Sequence, residues 1–265
     1  VNPPHDAPDA DPAVSDRLNP PLIDESFAAF SASRERMDLL WRQGWRHFGP
    51  QFARYSYRRW KDRILGVRPL RINLRRFVPS KSQRRILRRN QDLEMAIQPA
   101  VLDGERHQLF GIHKRRFETQ VPDSLENFLG PDLEFYPCEL VEITARLEGR
   151  LIAASYLDLG RRSVYSVYGM FCPTQASRSL GIATMLWEMA YAQQRGVRFY
   201  YLGYVFCEPT VLDYKKQFRG LQAFDWRRRW RPITRSTGNR PRPQPQLNGS
   251  GDRIPGVTPT PGRRT

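Results

Sequence analysis

The stretch SVYSVYGMFCPTQASRSLGIATMLWEMAYAQQRGVRFYYLGYVFCEPTVLDYKKQFRG, residues 163–220, decides the fold. SVYSVYGMF is a run of β-formers. RSLGIA follows, and ATMLWEMAYAQQRG then reads as an amphipathic helix stopped by Gly196. RFYYLGYVF is a second aromatic strand, and EPTVLDYKKQFRG reads as a closing helix. Strand, helix, strand in this order makes a β–α–β crossover with parallel strands. A ligand is expected where the first strand opens into the helix, since unpaired amides and the positive end of the helix dipole meet there.

The segments just upstream extend the sheet. LEFYPCELVEIT and LEGRLIAASYLDLG each read as a strand with a turn at EGR, so three strands in succession form a meander. Antiparallel strands, then a crossover helix, then a parallel strand is the N-acetyltransferase-like order. The expected fold is therefore α+β, an N-acetyltransferase-like mixed sheet with a crossover helix. An N-terminal basic α/β segment precedes it. In that segment a helix start is expected near Asp24, a short helix over 34–43, and a strand in FGPQFARYSYRRW. RPLRINLRRFV is a further strand whose Leu70, Ile72 and Leu74 pack while the basic face stays wet.

Charge narrows the class of partner. The chain carries 265 residues, a net charge of +16 and a pI near 10.4. Thirteen Lys/Arg against one acid, Asp62, fall between Arg58 and Arg89, which places +12 of the +16 in one window. A patterned excess of this kind points to a polyanion, nucleic acid ahead of a membrane surface. No apolar run approaches a membrane span, and the polar, proline-rich start does not read as a secretory signal. Cys138, Cys172 and Cys207 are odd in number and far apart, which argues for a reducing, cytoplasmic setting.

Candidate site residues cluster in three places. In PSKSQRRILRRN, Ser80 or Ser82 can cap a helix, and Gln83, Arg84, Arg85, Arg88 and Arg89 crowd a turn and a half that suits phosphate. Arg178, Gly181 and Ala183 make R-x-x-G-x-A at the turn into the long helix. There the small residue lets amides approach an acyl-CoA pyrophosphate, another phosphate or the end of an acylated RNA. The glycine inside FYYLGY marks a bulge or a close ligand approach, and Tyr204 puts a hydroxyl near the strand's end. Tyr214, Lys215 and Arg219 follow, with Asp213 and Glu208 as possible proton acceptors. No nucleophile triad, carboxylate pair or metal-ligand spacing stands out. His107 and His113 read as ordinary histidines, and the long helix reads as ordinary core.

Taken together, these pieces resemble the bacterial aminoacyl-tRNA–protein transferases of the N-degron pathway, the leucyl- and arginyl-transferases. The resemblance spans about residues 45–222. It rests on F-x-P-S-x-S-Q-R-R-x-x-R-R-N, Ser179–Gly181, the YLGY at Tyr201–Tyr204 and the Tyr214–Arg219 block, all in the family's order. It implies transfer of an amino acid from aminoacyl-tRNA to the N-terminal α-amine of a protein or peptide, with charged tRNA as co-substrate and no separate cofactor. By that resemblance Ser82, Gln83, Arg84, Arg85, Arg88, Arg89 and Asn90 shape a polar binding region. Arg178, Ser179, Gly181 and Ala183 line the donor side, while Tyr204, Tyr214, Asp213, Lys215 and Arg219 lie near the reacting centre. The chain departs from the family in FGPQFARYSYRRWKDRILGVRPLRI, residues 48–72, which has no cysteine where the family carries a cluster. An acetyl-CoA-dependent N-acetyltransferase-like enzyme and a non-enzymatic RNA-binding relative are the alternatives. The expected boundaries are disordered tails at 1–20 and 232–265, a basic region at 21–100, and the transferase domain at 101–231. That basic region is packed on or continuous with the transferase domain.

Overall fold

The computed structural model describes residues 20–117 and 121–233. Apart from Pro20, Pro232 and Ile233, both expected tails lie outside the described residues. The N-terminal part runs β1 (Asp24–Ala28), α1 (Arg34–Arg42), β2 (Arg46–Phe48), β3 (Gln51–Tyr55), β4 (Tyr57–Trp60), β5 (Arg63–Asn73) and α2 (Lys81–Arg89). There follow β6 (Glu94–Pro99), α3 (Gly104–Lys114), α4 (Glu126–Leu129) and the meander β7 (Leu140–Leu147), β8 (Arg150–Leu159) and β9 (Ser163–Phe171). The crossover helix α5 (Leu180–Gln194), β10 (Phe199–Phe206), β11 (Leu221–Phe224) and β12 (Trp230–Pro232) complete the chain.

The main sheet runs β12-β11-β5-β10-β9-β8-β7-β6, with β4 paired to β5. The pairings are antiparallel except β9–β10. This is the N-acetyltransferase-like arrangement. β5 lies between β10 and β11, so residues 21–100 and 101–231 share one sheet. A three-stranded sheet, β1-β3-β2, stands beside it.

Two apolar layers enclose the crossover strands. On one side Leu70, Ile72 and Leu202 pack with Ile182, Leu186 and Met189 of α5. On the other, Tyr165 and Tyr201 pack with Met37, Leu40 and Trp41 of α1 and with Phe52 of β3. This second layer explains why the basic face of β5 is not wet. The Arg71 guanidinium lies 3.9 Å from the Phe199 ring centroid and 4.3 Å from that of Trp230, and it donates to Gln222 and Tyr201.

Three other local expectations change. Asp24 begins β1 rather than a helix, because its segment pairs with β3 and stacks Phe27 on Phe52 at 4.8 Å. α5 is buried around most of its circumference rather than along one stripe, since the sheet and α2 both contact it; Ala190 is exposed and Gly196 ends the helix at φ 68. The closing helix is a 3-10 segment, Val211–Gln217, followed by an extended Phe218, because the chain must turn back to enter β11 at Leu221. Tyr214 with Phe218, and Lys215 with Arg219, therefore do not form helical stripes.

β9 and β10 pair over three positions, Ser163–Tyr165 with Phe199–Tyr201. Beyond Tyr201 the register of β10 against β5 slips by a residue, and Gly203 sits in this bulge at φ 79. The left-handed backbone there is open to glycine and strained for other residues. Gly203→Ala is expected to lower unfolding stability by about 1–2 kcal/mol, read as a reduced urea midpoint at unchanged m-value.

Candidate acyl-transfer site

The gap left between β9 and β10 holds a cavity of about 200 Å³. One stripe of α5 faces it, Gly181, Thr184, Met185 and Glu188 at helical spacing. Ser166, Val167, Tyr168 and Gly169 line it from β9, and Leu202, Gly203 and Tyr204 from β10. Residues from both faces of the sheet contribute. Met185 and Leu202 belong to the layer under α5, whereas Tyr165 belongs to the layer under α1 and Tyr204 to a cluster with Tyr55 and Trp226. The opening thus passes between the strands.

Its electrostatics are mixed. Arg46, Arg116 and Lys215 bring three cations to the wall. Arg46 is buried, donates to the Tyr55 hydroxyl at 3.1 Å and lies 4.2 Å from the Phe48 ring centroid. Arg116 lies 4.4 Å from the centroid of Phe171, and burial lowers its pKa. Among the described residues lining the cavity, Glu188 is the one carboxylate. Burial pushes its carboxyl up to about 7, against the hydrogen bond from Tyr200 and the nearby hydroxyls of Ser166 and Ser155. Burial also raises the Tyr214 hydroxyl to about 12 and lowers His113 to about 3, so both are neutral at neutral pH.

Of the residues expected from the sequence, Gly181, Tyr204, Tyr214 and Lys215 line this cavity. The Tyr204 hydroxyl donates to the Gly44 carbonyl, and burial raises its pKa well above the usual value. Asp213 pairs with Lys216 at 2.7 Å, Arg219 is exposed and Ala183 is fully buried core. These three are not among the lining residues.

The basic helix is tied to the turn that leads into Gly181. Ser80 caps α2 in a capping box with Gln83, and Ser82 contacts the Ser80 hydroxyl at 3.0 Å. Asn90 donates to the carbonyls of Ile86 and Arg178, both at 2.9 Å, and Arg89 donates to the Ser177 carbonyl. Arg178 returns a bond to the Arg89 carbonyl and holds Asp92 through two contacts of 2.8 Å. α2 is thereby latched to the turn that enters α5 through Ser179, at φ 56. Ile86 and Leu87 pack on the same apolar cluster as Leu212 and Tyr214. Arg84, Arg85 and Arg88 are exposed at the outer side of the helix.

Sequence reading passed over Arg46, Arg116 and Glu188 and read His113 as an ordinary histidine, whereas all four line the cavity. Glu188 left one signal, as the only acid in the apolar run of α5. It also passed over a buried group on the other face of β2. His47 contacts the Gly49 carbonyl at 2.8 Å and Asp158 at 2.9 Å, Tyr136 donates to Asp158, and Cys138 stands 4.0 Å from the ring. These residues are scattered from 47 to 158, so no spacing announces them.

With this geometry the comparisons with known proteins agree. The family described as "Arginine-tRNA-protein transferase, C terminus" matches residues 105–225. An aspartate/glutamate leucyltransferase of Xylella fastidiosa is 33% identical over 177 residues, covering 63% of this chain and 68% of that protein. The chain belongs to the bacterial aminoacyl-tRNA–protein transferase family. Another family member, the aspartate/glutamate leucyltransferase of Pseudomonas putida, is 35% identical over 164 residues. That match takes in 58% of this chain, and the chain spans 66% of that relative's length. A solved structure of FemX aligns over 71% of this chain and 66% of its own at 12% identity and a TM-score of 0.47. Among the described residues, no helix is long and apolar enough to cross a membrane.

The latch can be separated from the charge it carries. Asn90→Ala strips a partner from the Arg178 carbonyl and is expected to lower stability by about 1–3 kcal/mol. Arg88→Ala, on the exposed side of the same helix, should stay within about 0.5 kcal/mol of wild type. Chemical denaturation of the two variants checks both.

Proposed function

We propose that this protein transfers an amino acid, leucine as in the names of its relatives, from aminoacyl-tRNA to the α-amine of a protein beginning with Asp or Glu. The observation that carries this reading is the mixed cavity in the β9–β10 gap, with Arg46, Arg116 and Lys215 on its wall and α2 bonded to the turn that leads into Gly181. An acidic N-terminal residue brings a carboxylate that those cations attract. The donor's apolar side chain fits against Phe48, Phe171, Met185 and Leu202, which line the same cavity. The donor is a polyanion, and Arg85 and Arg88 present charge outward for its phosphates.

Direct attack of the amine on the ester needs proximity and a polar hold on the carbonyl, with no covalent enzyme intermediate. The walls of a gap between two strands supply proximity from both sides of the sheet. Acetyl-CoA as donor is less well served. Arg178, the side chain that would reach its phosphates, is tied to Asp92, and the Phe171 ring lies against Gly181. The cytoplasm is the expected setting, since charged tRNA is found there.

The reaction is tested by incubating the protein with total charged tRNA bearing labelled amino acids and peptides of each N-terminal residue, beside a reaction with labelled acetyl-CoA. Leucyl transfer to Asp- and Glu-peptides is expected; acetyl transfer alone would contradict the reading. Separately, Arg85→Glu with Arg88→Glu should weaken tRNA binding and flatten the slope of log K against log salt by about one unit for each phosphate no longer neutralised. Filter binding over a salt series measures this, and an unchanged slope would remove α2 from the RNA footprint.

A further inference from the structure

The acceptor raises a chemical difficulty that the cations do not solve. A free α-amine titrates at about 7.7–8.0 in water, so near neutral pH it arrives mostly as ammonium, without the lone pair that attack requires. A site for direct aminolysis therefore gains from a group that removes this proton next to the ester.

Glu188 stands where such a group is needed. It closes the α5 stripe that begins at Gly181, two turns into the helix, and lines the cavity while being 1% exposed overall. The Tyr200 hydroxyl of β10 donates to its carboxylate, and the hydroxyls of Ser166 of β9 and Ser155 of β8 lie close enough to act on its charge. Tyr214 faces it from the segment after β10. A buried carboxylate held only by hydroxyls is costly, and a glutamine would satisfy hydroxyl partners at lower desolvation cost. The acid in this position thus calls for a reason beyond packing.

We propose that Glu188 is the catalytic residue that takes a proton from the acceptor's α-ammonium, with Tyr200 as the positioning residue that fixes its carboxylate. The proposal rests on the transfer reading above. One N–H bond of the ammonium breaks and its proton passes to a Glu188 oxygen. The freed lone pair forms the C–N bond to the ester carbonyl carbon. The C–O bond to the terminal ribose then breaks, and the ribose oxygen takes the second proton from nitrogen. Glu188 afterwards releases its proton to solvent. Burial brings the carboxyl up to about 7, which makes it a stronger proton acceptor than an ordinary carboxylate. Because the carboxylate is the active form, the rate rises with pH through that value and falls below it as Glu188 becomes protonated. The other charged or titratable groups on the cavity wall near it are Arg46, Arg116 and Lys215, with His113, which burial keeps neutral.

The test follows leucyl transfer from charged tRNA as a function of pH for wild type, Glu188→Gln and Tyr200→Phe, with two acceptors. One is a peptide beginning with Asp; the other replaces its α-amine by an aminooxy group that is already neutral. Glu188→Gln is expected to lose about 10²–10⁴-fold in kcat/KM toward the amine and to recover most of that loss with the aminooxy acceptor. Tyr200→Phe removes the hydroxyl that lowers the Glu188 pKa, so its acid limb should move to higher pH. This variant reports even where Glu188→Gln weakens the fold. Equal loss toward both acceptors together with an unmoved acid limb in Tyr200→Phe would overturn the proposal, as would a fully active Glu188→Gln. Absence of transfer by the wild-type protein would overturn the transfer reading and this proposal with it.

Discussion

The parallel pairing of β9 with β10 stops after three residues, and the rest of the site depends on that failure. A sheet that closed completely would bury its backbone groups and leave no passage between its faces. Here the bulge at Gly203 turns β10 aside while β5 keeps it paired on its outer edge. α5 crosses above the separation and fills part of it with Thr184, Met185 and Glu188. The fold thus supplies an opening whose walls are rigid strands and whose roof is a buried helix. Rigid walls suit a reaction that relies on placing two substrates rather than on a covalent intermediate.

Charge is divided between two tasks. The cations of α2 that look outward, Arg84, Arg85 and Arg88, add long-range attraction for a polyanion. Arg46, Arg71 and Arg178 are held by rings, hydroxyls or carboxylates and act locally. The exposed patch is therefore carried by the arginines of α2, while these other cations are committed to packing and internal bonds. The latch between α2 and the turn entering α5 joins these two sets mechanically, since Asn90 and Arg89 bond to the carbonyls of Arg178 and Ser177. β3 and β4 pack on β10 through aromatic contacts, Tyr55 with Tyr204 and Trp60 with Phe206.

Strand and helix order from β7 onward was legible because period and turn residues agree there. The EGR turn, with Glu148 and Gly149 both at positive φ, and the Gly196 stop are examples. Around β5 and at 211–218 the sequence misled, for one reason. Burial of Arg71 and the 3-10 turn at Tyr214 are set by neighbours distant in sequence, and local pattern carries no record of them. The site divides likewise. Gly181, Tyr204, Tyr214 and Lys215 belong to motifs the sequence singles out, and they line the cavity. Arg46, Arg116 and Glu188 come from three separate elements and meet only when the sheet forms. Asn90 and Gln83 were read as binding groups, and the structure gives both a mechanical role as cap and latch.

The central claim is that ester and amine meet in the gap between β9 and β10. Its most direct test is a crystal structure with leucyl-adenosine in which the ester is replaced by an uncleavable amide. The account places the leucyl carbonyl between Gly203 and Ser166, with the adenosine toward the turn that leads into Gly181. An analogue bound elsewhere on the protein, with the gap unchanged, would contradict it.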